Sequence, residues 1–195
     1  MREILLFAED SGHEAFLVAL VERMAKQQDI AVTIRPYSVR GGHGTVLAEL
    51  KNLRHEIQRK SHRTPDLLLI ATDAKCQGVS TRRSEILSAL SGIEVDIICA
   101  IPDPHIERWL LLDSEAFKRV LGRGCDAPDQ KCIRDRYKVF LRNAILQAGR
   151  MPILGGLEHT YEIVNQMDLR RMESSGESLG TLIQELRRTL EGWTR

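Results

Sequence analysis

The chain has 195 residues, of which 43% are hydrophobic and 28% are charged, and its formal net charge is +1. These values are ordinary for a soluble globular protein that is long enough to build a core of its own. The small net charge gives no general sign of a nucleic-acid binder, and no apolar run reaches the roughly 18 residues that a membrane span needs.

Apolar periodicity predicts alternating strands and helices in the first half of the chain. In chain order, the predicted elements are a strand over 3–8, a helix over 12–28, a strand over 30–37, a helix over 45–60, a strand over 67–72, a helix over 81–90 and a strand over 94–101. Such alternation is typical of a parallel sheet with right-handed crossovers. We therefore predict a Rossmann-like α/β fold with a mostly parallel, four-stranded sheet.

After Pro102 the pattern becomes helical. Helices are predicted over 106–112, 114–121, 130–148, 158–167 and 178–192, with glycines and prolines between them. We expect an α/β domain over 1–121 and a helical extension over 122–195, which packs on that domain or on a partner.

The amino terminus and the cysteines both bear on localisation. The chain begins Met-Arg-Glu and enters a strand at once, without the apolar region of a signal peptide. Its cysteines stand at 76, 99, 125 and 132 and form no CxxC pair. We therefore expect reduced thiols, a cytoplasmic location and no membrane association.

Acidic residues follow three of the four predicted strands. Glu9 and Asp10 follow the first strand, Asp73 follows the third, and Asp103 and Glu107 follow the fourth. Ligands of an open parallel sheet bind beyond the carboxyl ends of its strands, so these side chains should share one crevice. Carboxylates gathered there repel one another unless a cation or a proton is shared. The pattern predicts a divalent-metal site, and helix N-capping by the aspartates is the alternative.

The first of these segments carries a resemblance to a known family. From Leu6 to Leu17 an apolar strand ends in Glu9, and a helix with a second acid, Glu14, follows. This resembles the opening motif of TOPRIM domains, especially those of OLD-type nucleases and of the small phage-defence proteins of the RloB type. The resemblance implies that the glutamate at the strand end is a metal ligand or a general acid/base.

The second segment, from Ile70 to Cys76, stands where that family has Asp-x-Asp. Asp73 matches the first aspartate, but Lys75 stands in place of the second. A lysine removes a metal ligand and adds a positive charge beside the site. Asp10 likewise replaces the glycine that follows the family's first glutamate.

The third segment, from Ile101 to Leu111, resembles the apolar-Glu-x-Trp-Leu-Leu helix that follows the fourth strand in the small TOPRIM-like proteins. The resemblance therefore covers roughly the first 120 residues, the typical size of one domain. The catalytic candidates that it implies are Glu9, Glu14, Asp73 and Glu107, and the candidate ligands of Mg²⁺ or Mn²⁺ are Glu9, Asp73 and Asp103.

Basic and glycine-rich segments give candidates for nucleic-acid contact. Glycines before the second helix expose backbone N–H groups that can meet a phosphate, although the Gly-Lys-Ser/Thr of a Walker A motif is missing. A flexible loop and a solvated helix face are the alternatives. The nucleic-acid candidates are Arg40, His43, Lys75, Arg82 and Arg83.

Three functions follow from these patterns, one of which is a nucleotide or small-phosphate binder that uses the loop over 41–44. Oxygen ligands could hold a metal ion that activates water for phosphodiester hydrolysis. Alternatively, Lys75 occupies the cation position, and the protein is a non-catalytic binding or sensor subunit. The resemblance further implies a role in phage defence, with a P-loop ATPase partner of the ABC or SMC-like class, and it leaves the oligomeric state open.

Overall fold

A computed structural model describes residues 1–39, 41–59, 64–75 and 77–194. Four strands form one all-parallel sheet with the spatial order β2-β1-β3-β4. The strands are β1 (Arg2–Ala8), β2 (Val32–Ser38), β3 (Leu67–Ala71) and β4 (Asp96–Ala100). The predicted Rossmann-like α/β fold is confirmed, and all four carboxyl ends lie at the same edge of the sheet.

Nine helices lie in the described residues. They are α1 (Ser11–Gln27), α2 (His43–Gln58), α3 (Val79–Ala89), α4 (Ile106–Leu111), α5 (Ser114–Leu121), α6 (Arg136–Gln147), α7 (Thr160–Gln166), α8 (Leu169–Glu173) and α9 (Ser178–Trp193). A short 3-10 turn over Leu157–His159 precedes α7. Helices α1, α2 and α3 connect successive strands, and the other six follow β4.

The sheet separates two apolar clusters. Alternate residues of β3 face opposite sides, so that Leu67 and Leu69 join the cluster beneath α1 while Leu68 and Ile70 join the cluster beneath α2 and α3. Every residue of β3 is buried because both faces of the sheet are covered. This explains why β3 reads as an unbroken apolar run and not as an alternating one.

The helical extension packs on the α/β domain. Helix α7 contacts α1 and α5, and α9 contacts β4 and α1. Leu141, Ile163 and Leu182 of the extension lie in the same apolar cluster as Phe16 of α1. One continuous core therefore joins residues before and after position 121.

The helix predicted over 130–148 begins later, at Arg136. The reason lies in Tyr137, whose buried hydroxyl accepts a hydrogen bond of 2.7 Å from the Lys131 N–H. The same hydroxyl lies 3.0 Å from the carbonyl oxygens of Asp129 and Lys131. These contacts hold the preceding segment around the tyrosine, and Asp135 takes a left-handed φ of 56°, which a continuous helix does not allow.

Two further expectations concern the cysteines and the membrane. Cys99 and Cys125 are free and buried, as expected. Cys132 is disulfide-bonded, so the expectation of four reduced thiols is wrong for that residue. Within the described ranges, no helix has the length and apolar character that crossing a membrane requires.

Gly156 fixes the loop between α6 and α7, and it offers a test of the packing there. A Cβ at Gly156 would overlap the Ile145 side chain and lie 2.9 Å from Leu141 Cγ, and its φ is +103°. Gly155 also has a positive φ of +68°, but a Cβ there meets open space. We expect Gly156→Ala to lower the free energy of unfolding by about 2–4 kcal/mol, through strain plus overpacking.

The matched control is Gly155→Ala, which should cost only the backbone strain of about 1 kcal/mol. Urea unfolding of both variants measures the difference. Equal losses would show that the core beneath Gly156 is not tightly packed.

Candidate functional site

The loops that follow β1, β3 and β4 remain hydrogen-bonded beyond the ends of the strands. The Glu9 N–H donates to the Ala71 carbonyl at 3.0 Å, and the Ala74 N–H donates to the Pro102 carbonyl at 2.8 Å. The Asp73 N–H also donates to Glu9 Oε2 at 3.1 Å. Glu9 and Asp73 therefore lie together beyond the ends of β1 and β3, as the topology predicts.

Glu9 is buried and fully bonded to donors of the protein itself. Its Oε2 accepts the Thr72 hydroxyl at 2.6 Å, and its Oε1 accepts the Lys75 amine at 2.8 Å. Burial alone would raise the pKa of Glu9, but the hydrogen bonds from Lys75 and Thr72 outweigh it and hold the pKa below its ordinary value. Glu9 is therefore an ionised carboxylate with Lys75 as its counter-ion.

Asp73 is held between two histidines. Its Oδ1 lies 3.0 Å from His13 Nε2 and accepts the Ile106 N–H at 3.1 Å, while its Oδ2 lies 2.9 Å from His105 Nδ1. Burial would raise the pKa of Asp73, but the bonds to His105 and His13 hold it far below its usual range. The Ile106 contact ties Asp73 to the first residue of α4. Asp73 does not cap α3, the helix that follows it, whose N-cap is Gly78 without a side-chain hydrogen bond.

His13 is the buried cation of the site. The side chain of Asp10 caps α1 and accepts the N–H groups of Gly12 and His13, which sets His13 on the first turn above the crevice. His13 Nδ1 lies 2.8 Å from Asp10 Oδ1, so the ring bridges two carboxylates. Burial would lower the pKa of His13, but Asp10 and Asp73 raise it to about 10. The ring is therefore an imidazolium at neutral pH.

His105 lies on the other side of Asp73. The hydrogen bond to Asp73 raises the pKa of His105 above its ordinary value and outweighs the effect of burial. Its ring centroid is 6.2 Å from that of Tyr137, and its side chain is 18% exposed. Asp73 thus favours the protonated form of His105, whose side chain lies closer to solvent than that of His13.

A hydrogen-bonded chain leads from Glu9 towards the surface. Thr72 donates to Glu9, its hydroxyl lies 3.1 Å from His43 Nδ1, and His43 Nε2 lies 2.8 Å from Glu85 Oε2. Burial and the neighbouring Arg82 lower the pKa of His43. This chain fixes His43 at the start of α2, beside the crevice.

Two further predicted acids lie after β4. Glu107 is 5% exposed, and its Oε2 has no hydrogen-bond partner among the described residues. Burial raises the pKa of Glu107, and the charge of Asp73 raises it further. Asp103 instead accepts a bond of 2.6 Å from Gln130, and burial raises its pKa as well.

Three of the remaining candidates contact residues other than Glu9 and Asp73, and a fourth lies outside the described residues. Glu14 accepts a hydrogen bond from the Ser38 hydroxyl at the end of β2. Arg82 bonds to Glu85 at 3.0 Å, and Arg83 pairs with Glu185 of α9 at 2.8 Å. Arg40 lies outside the described residues.

The candidate list drawn from the sequence omits His13 and His105, which make the closest contacts to Asp73. One signal was present, because His13 follows the N-cap Asp10 by three residues and side chains at that spacing share a helix face. No comparable local signal marks His105, whose partner comes from the loop after a different strand.

A divalent ion does not fit the donor set as it is arranged. Mg²⁺ takes about six oxygen ligands in near-octahedral geometry. Every carboxylate oxygen of Glu9 and Asp73 already accepts a hydrogen bond, and the Lys75 amine lies against Glu9. In the described part of the chain, no group of three His, Cys, Asp or Glu is placed to hold a metal ion. Binding of Mg²⁺ or Mn²⁺ by Glu9, Asp73 and Asp103 stays a prediction, and it requires these pairs to separate.

Comparison with known proteins finds no matching family model, no matching curated protein and no matching solved structure. The chemistry of this site therefore follows from its own geometry and from the motifs of the sequence.

The charge of His13 makes the stability of the fold depend on pH. A pKa raised from 6.5 to about 10 contributes stability that is fully present below 6.5 and is lost as the pH rises through 10. At about pH 6 we expect His13→Gln to lower the free energy of unfolding by about 3–5 kcal/mol, because both carboxylates lose their partner. This difference from the wild type should shrink towards about pH 10.

Urea unfolding across this pH range measures the effect, with His55→Gln on the exposed side of α2 as the control that should show little change. A difference between wild type and His13→Gln that stays constant across the range would mean that His13 is neutral.

Proposed function

We propose that this chain is a nuclease-derived, TOPRIM-like subunit whose crevice binds nucleic acid without needing a metal ion. The observation that carries the proposal is the ion pair of 2.8 Å between Lys75 Nζ and Glu9 Oε1. Lys75 stands where the resemblance implies the second aspartate of a metal site. The ammonium group thus takes the position of the cation, which favours a binding subunit over a catalytic one.

The charges of the crevice support this interpretation. The carboxylate of Glu9 lies at hydrogen-bond distance from the Lys75 amine. The carboxylate of Asp73 lies at hydrogen-bond distance from the rings of His13 and His105. Buried carboxylates are stable when such partners compensate them. The fold can therefore keep its acidic strand ends without recruiting a divalent ion.

The mouth of the crevice suits a phosphate group. A Cβ at Gly42 would lie 3.7 Å from Glu9 Oε1 and 4.0 Å from Lys75 Nζ, so the uncapped start of the 16-residue helix α2 lies beside this ion pair. The side chain of Lys75 is 41% exposed, and His43 follows Gly42 directly. Backbone N–H groups at a helix start and a lysine are the groups that bind a phosphate of the nucleic-acid backbone. We assign the Lys75 amine and the backbone N–H groups that begin at His43 as the contacts to nucleic acid, because the His43 ring is buried and bonded to Thr72 and Glu85.

The metal-dependent nuclease is the second candidate, and Glu107 favours it. Its buried Oε2 has no partner in the described residues, and a buried carboxylate oxygen needs a donor, a proton or a cation. Phosphodiester cleavage with Mg²⁺ or Mn²⁺ that is lost in Glu107→Gln would favour this candidate over the first.

The resemblance to OLD and RloB proteins supports a role in phage defence beside a P-loop ATPase of the ABC or SMC-like class. Co-purification with an ATPase encoded beside this chain tests that part of the proposal. Failure to form a complex in the presence of nucleotide would argue against it.

Lys75 allows a gain-of-function test of the metal site. We expect no saturable Mn²⁺ binding by the wild type in isothermal calorimetry, because the amine repels the ion. Lys75→Asp restores the Asp-x-Asp spacing and should create a saturable Mn²⁺ site. Lys75→Ala is the matched control, since it removes the amine without adding a ligand. Mn²⁺ binding by the wild type that disappears in Asp73→Asn would contradict the proposal.

Nucleic-acid binding can be measured separately by fluorescence anisotropy of a labelled oligonucleotide in EDTA. The wild type should bind, and Lys75→Ala should reduce the slope of log K against log salt by about one, as expected for the loss of one phosphate contact. Lys131→Ala, on the exposed segment before α6, is the control that should leave the slope unchanged. An unchanged slope for Lys75→Ala would remove Lys75 from the interface.

A further inference from the structure

A cavity of about 620 Å³ lies at the end of α1 that is opposite the crevice. Its walls come from the last turns of α1, from the segment that connects α7 to α8, and from single side chains of α5 and α9. This volume is in the range of small-molecule sites. Helix α1 begins at the crevice and its 17 residues span about 25 Å, so the two sites are far apart.

Four arginines line this cavity, which we call the arginine cavity. They are Arg23, Arg119, Arg170 and Arg187. Arg187 pairs with Glu173 at 2.9 Å, but the other three form no ion pair with any described residue. Asp168 is the one acid among the described residues that line the cavity. Burial lowers the pKa of Arg23, although the charges of Asp168 and Asp113 act in the opposite direction. The chain's own acids therefore compensate only part of the positive charge.

Two of the guanidinium groups are fixed by the end of α7. Arg23 Nη1 donates to the Val164 carbonyl at 2.6 Å, and Arg119 Nη1 donates to the Gln166 carbonyl at 3.2 Å. A guanidinium has five N–H donors, and the described part of the chain provides each of these two with this single hydrogen bond. The other nitrogens of Arg23 are not closed off from solvent. Both side chains are therefore held in place while donors remain for a ligand.

Side-chain amides supply the neutral polar groups of the arginine cavity. Gln27 and Gln166 are exposed residues of its lining. An amide carries both donors and an acceptor, which match the hydroxyl groups of a ligand. No aromatic side chain lines the cavity within the described ranges, so a nucleobase would have no ring on which to stack. The lining therefore favours a ligand with hydroxyl groups over a nucleotide.

The charge of the arginine cavity selects the anionic group of the ligand. Three unpaired arginines against one aspartate leave a net positive charge of two. A phosphate monoester carries about −1.5 to −2 near neutral pH, whereas a carboxylate carries a single charge. The guanidinium fork also matches the geometry of phosphate oxygens. We propose that the arginine cavity binds a small phosphate ester with hydroxyl groups, such as a sugar phosphate.

Isothermal calorimetry of the full chain with ribose-5-phosphate, ribose and inorganic phosphate tests the proposal. Ribose-5-phosphate should bind saturably, and ribose should not bind because it carries no charge. Inorganic phosphate should bind at least about tenfold more weakly than ribose-5-phosphate, since it lacks the hydroxyl groups that the amides would bind. Arg119→Gln and Arg170→Gln should each weaken binding of ribose-5-phosphate by about tenfold or more, as expected for the loss of a charged hydrogen bond.

Lys118→Gln is the matched control, because Lys118 is exposed on α5 next to Arg119 but does not line the cavity. This variant should bind ribose-5-phosphate as tightly as the wild type.

The proposal is overturned if ribose-5-phosphate does not bind up to millimolar concentration, or if both arginine variants bind it as tightly as the wild type. It is also overturned if Lys75→Ala weakens binding of ribose-5-phosphate, because the ligand would then lie at the crevice. A labelled oligonucleotide whose binding is weakened by Arg119→Gln and Arg170→Gln, while that of ribose-5-phosphate is not, would overturn it as well, since the arginines would then contact nucleic acid.

Discussion

The buried carboxylate of Asp73 joins the parts of the molecule that form the crevice. It bonds to His13 on the first turn of α1, to His105 in the loop after β4 and to the N–H of Ile106 at the start of α4. An ionised carboxylate that is 8% exposed is stable only if cationic or N–H donors surround it. The geometry of the site therefore depends on the donors around Asp73, among them the protonated ring of His13.

Lys75 stabilises Glu9 in the same way as His13 stabilises Asp73. The strand-end glutamate and aspartate of a metal site normally share a divalent ion, but here each has a cationic side chain of the protein as its partner. Internal cations keep the acids ionised and hold the loops together in all conditions near neutral pH. We propose that a ligand with negative charge binds at the outer side of Lys75 and the start of α2.

The sequence predicted the strands, their order along the chain and the acids at their ends, because these depend on local patterns. The apolar run of β3 and the acid after it, Asp73, can be recognised without knowledge of distant residues. Glu14 shows where local patterns fail as a guide to the site. It follows His13 by one helix position, which turns its side chain by about 100° around the helix axis. Glu14 therefore contacts Ser38 at the end of β2 and not Asp73. The roles of His13 and His105 depend on which loops meet in space, and no spacing rule along the chain supplies that. The late start of α6 likewise depends on the tertiary contacts of the Tyr137 hydroxyl.

The protonation state of His13 is the most direct test of the central claim, that the crevice carries its own cations. Two-dimensional ¹⁵N NMR of the histidine side chains measures this protonation state without perturbing the protein. The measurement is made at about pH 8 because an unperturbed imidazole is neutral at that pH. The account predicts that both ring nitrogens of His13 are protonated, with or without excess Mg²⁺. A neutral His13 ring, or one that loses its proton when Mg²⁺ is added, would contradict it.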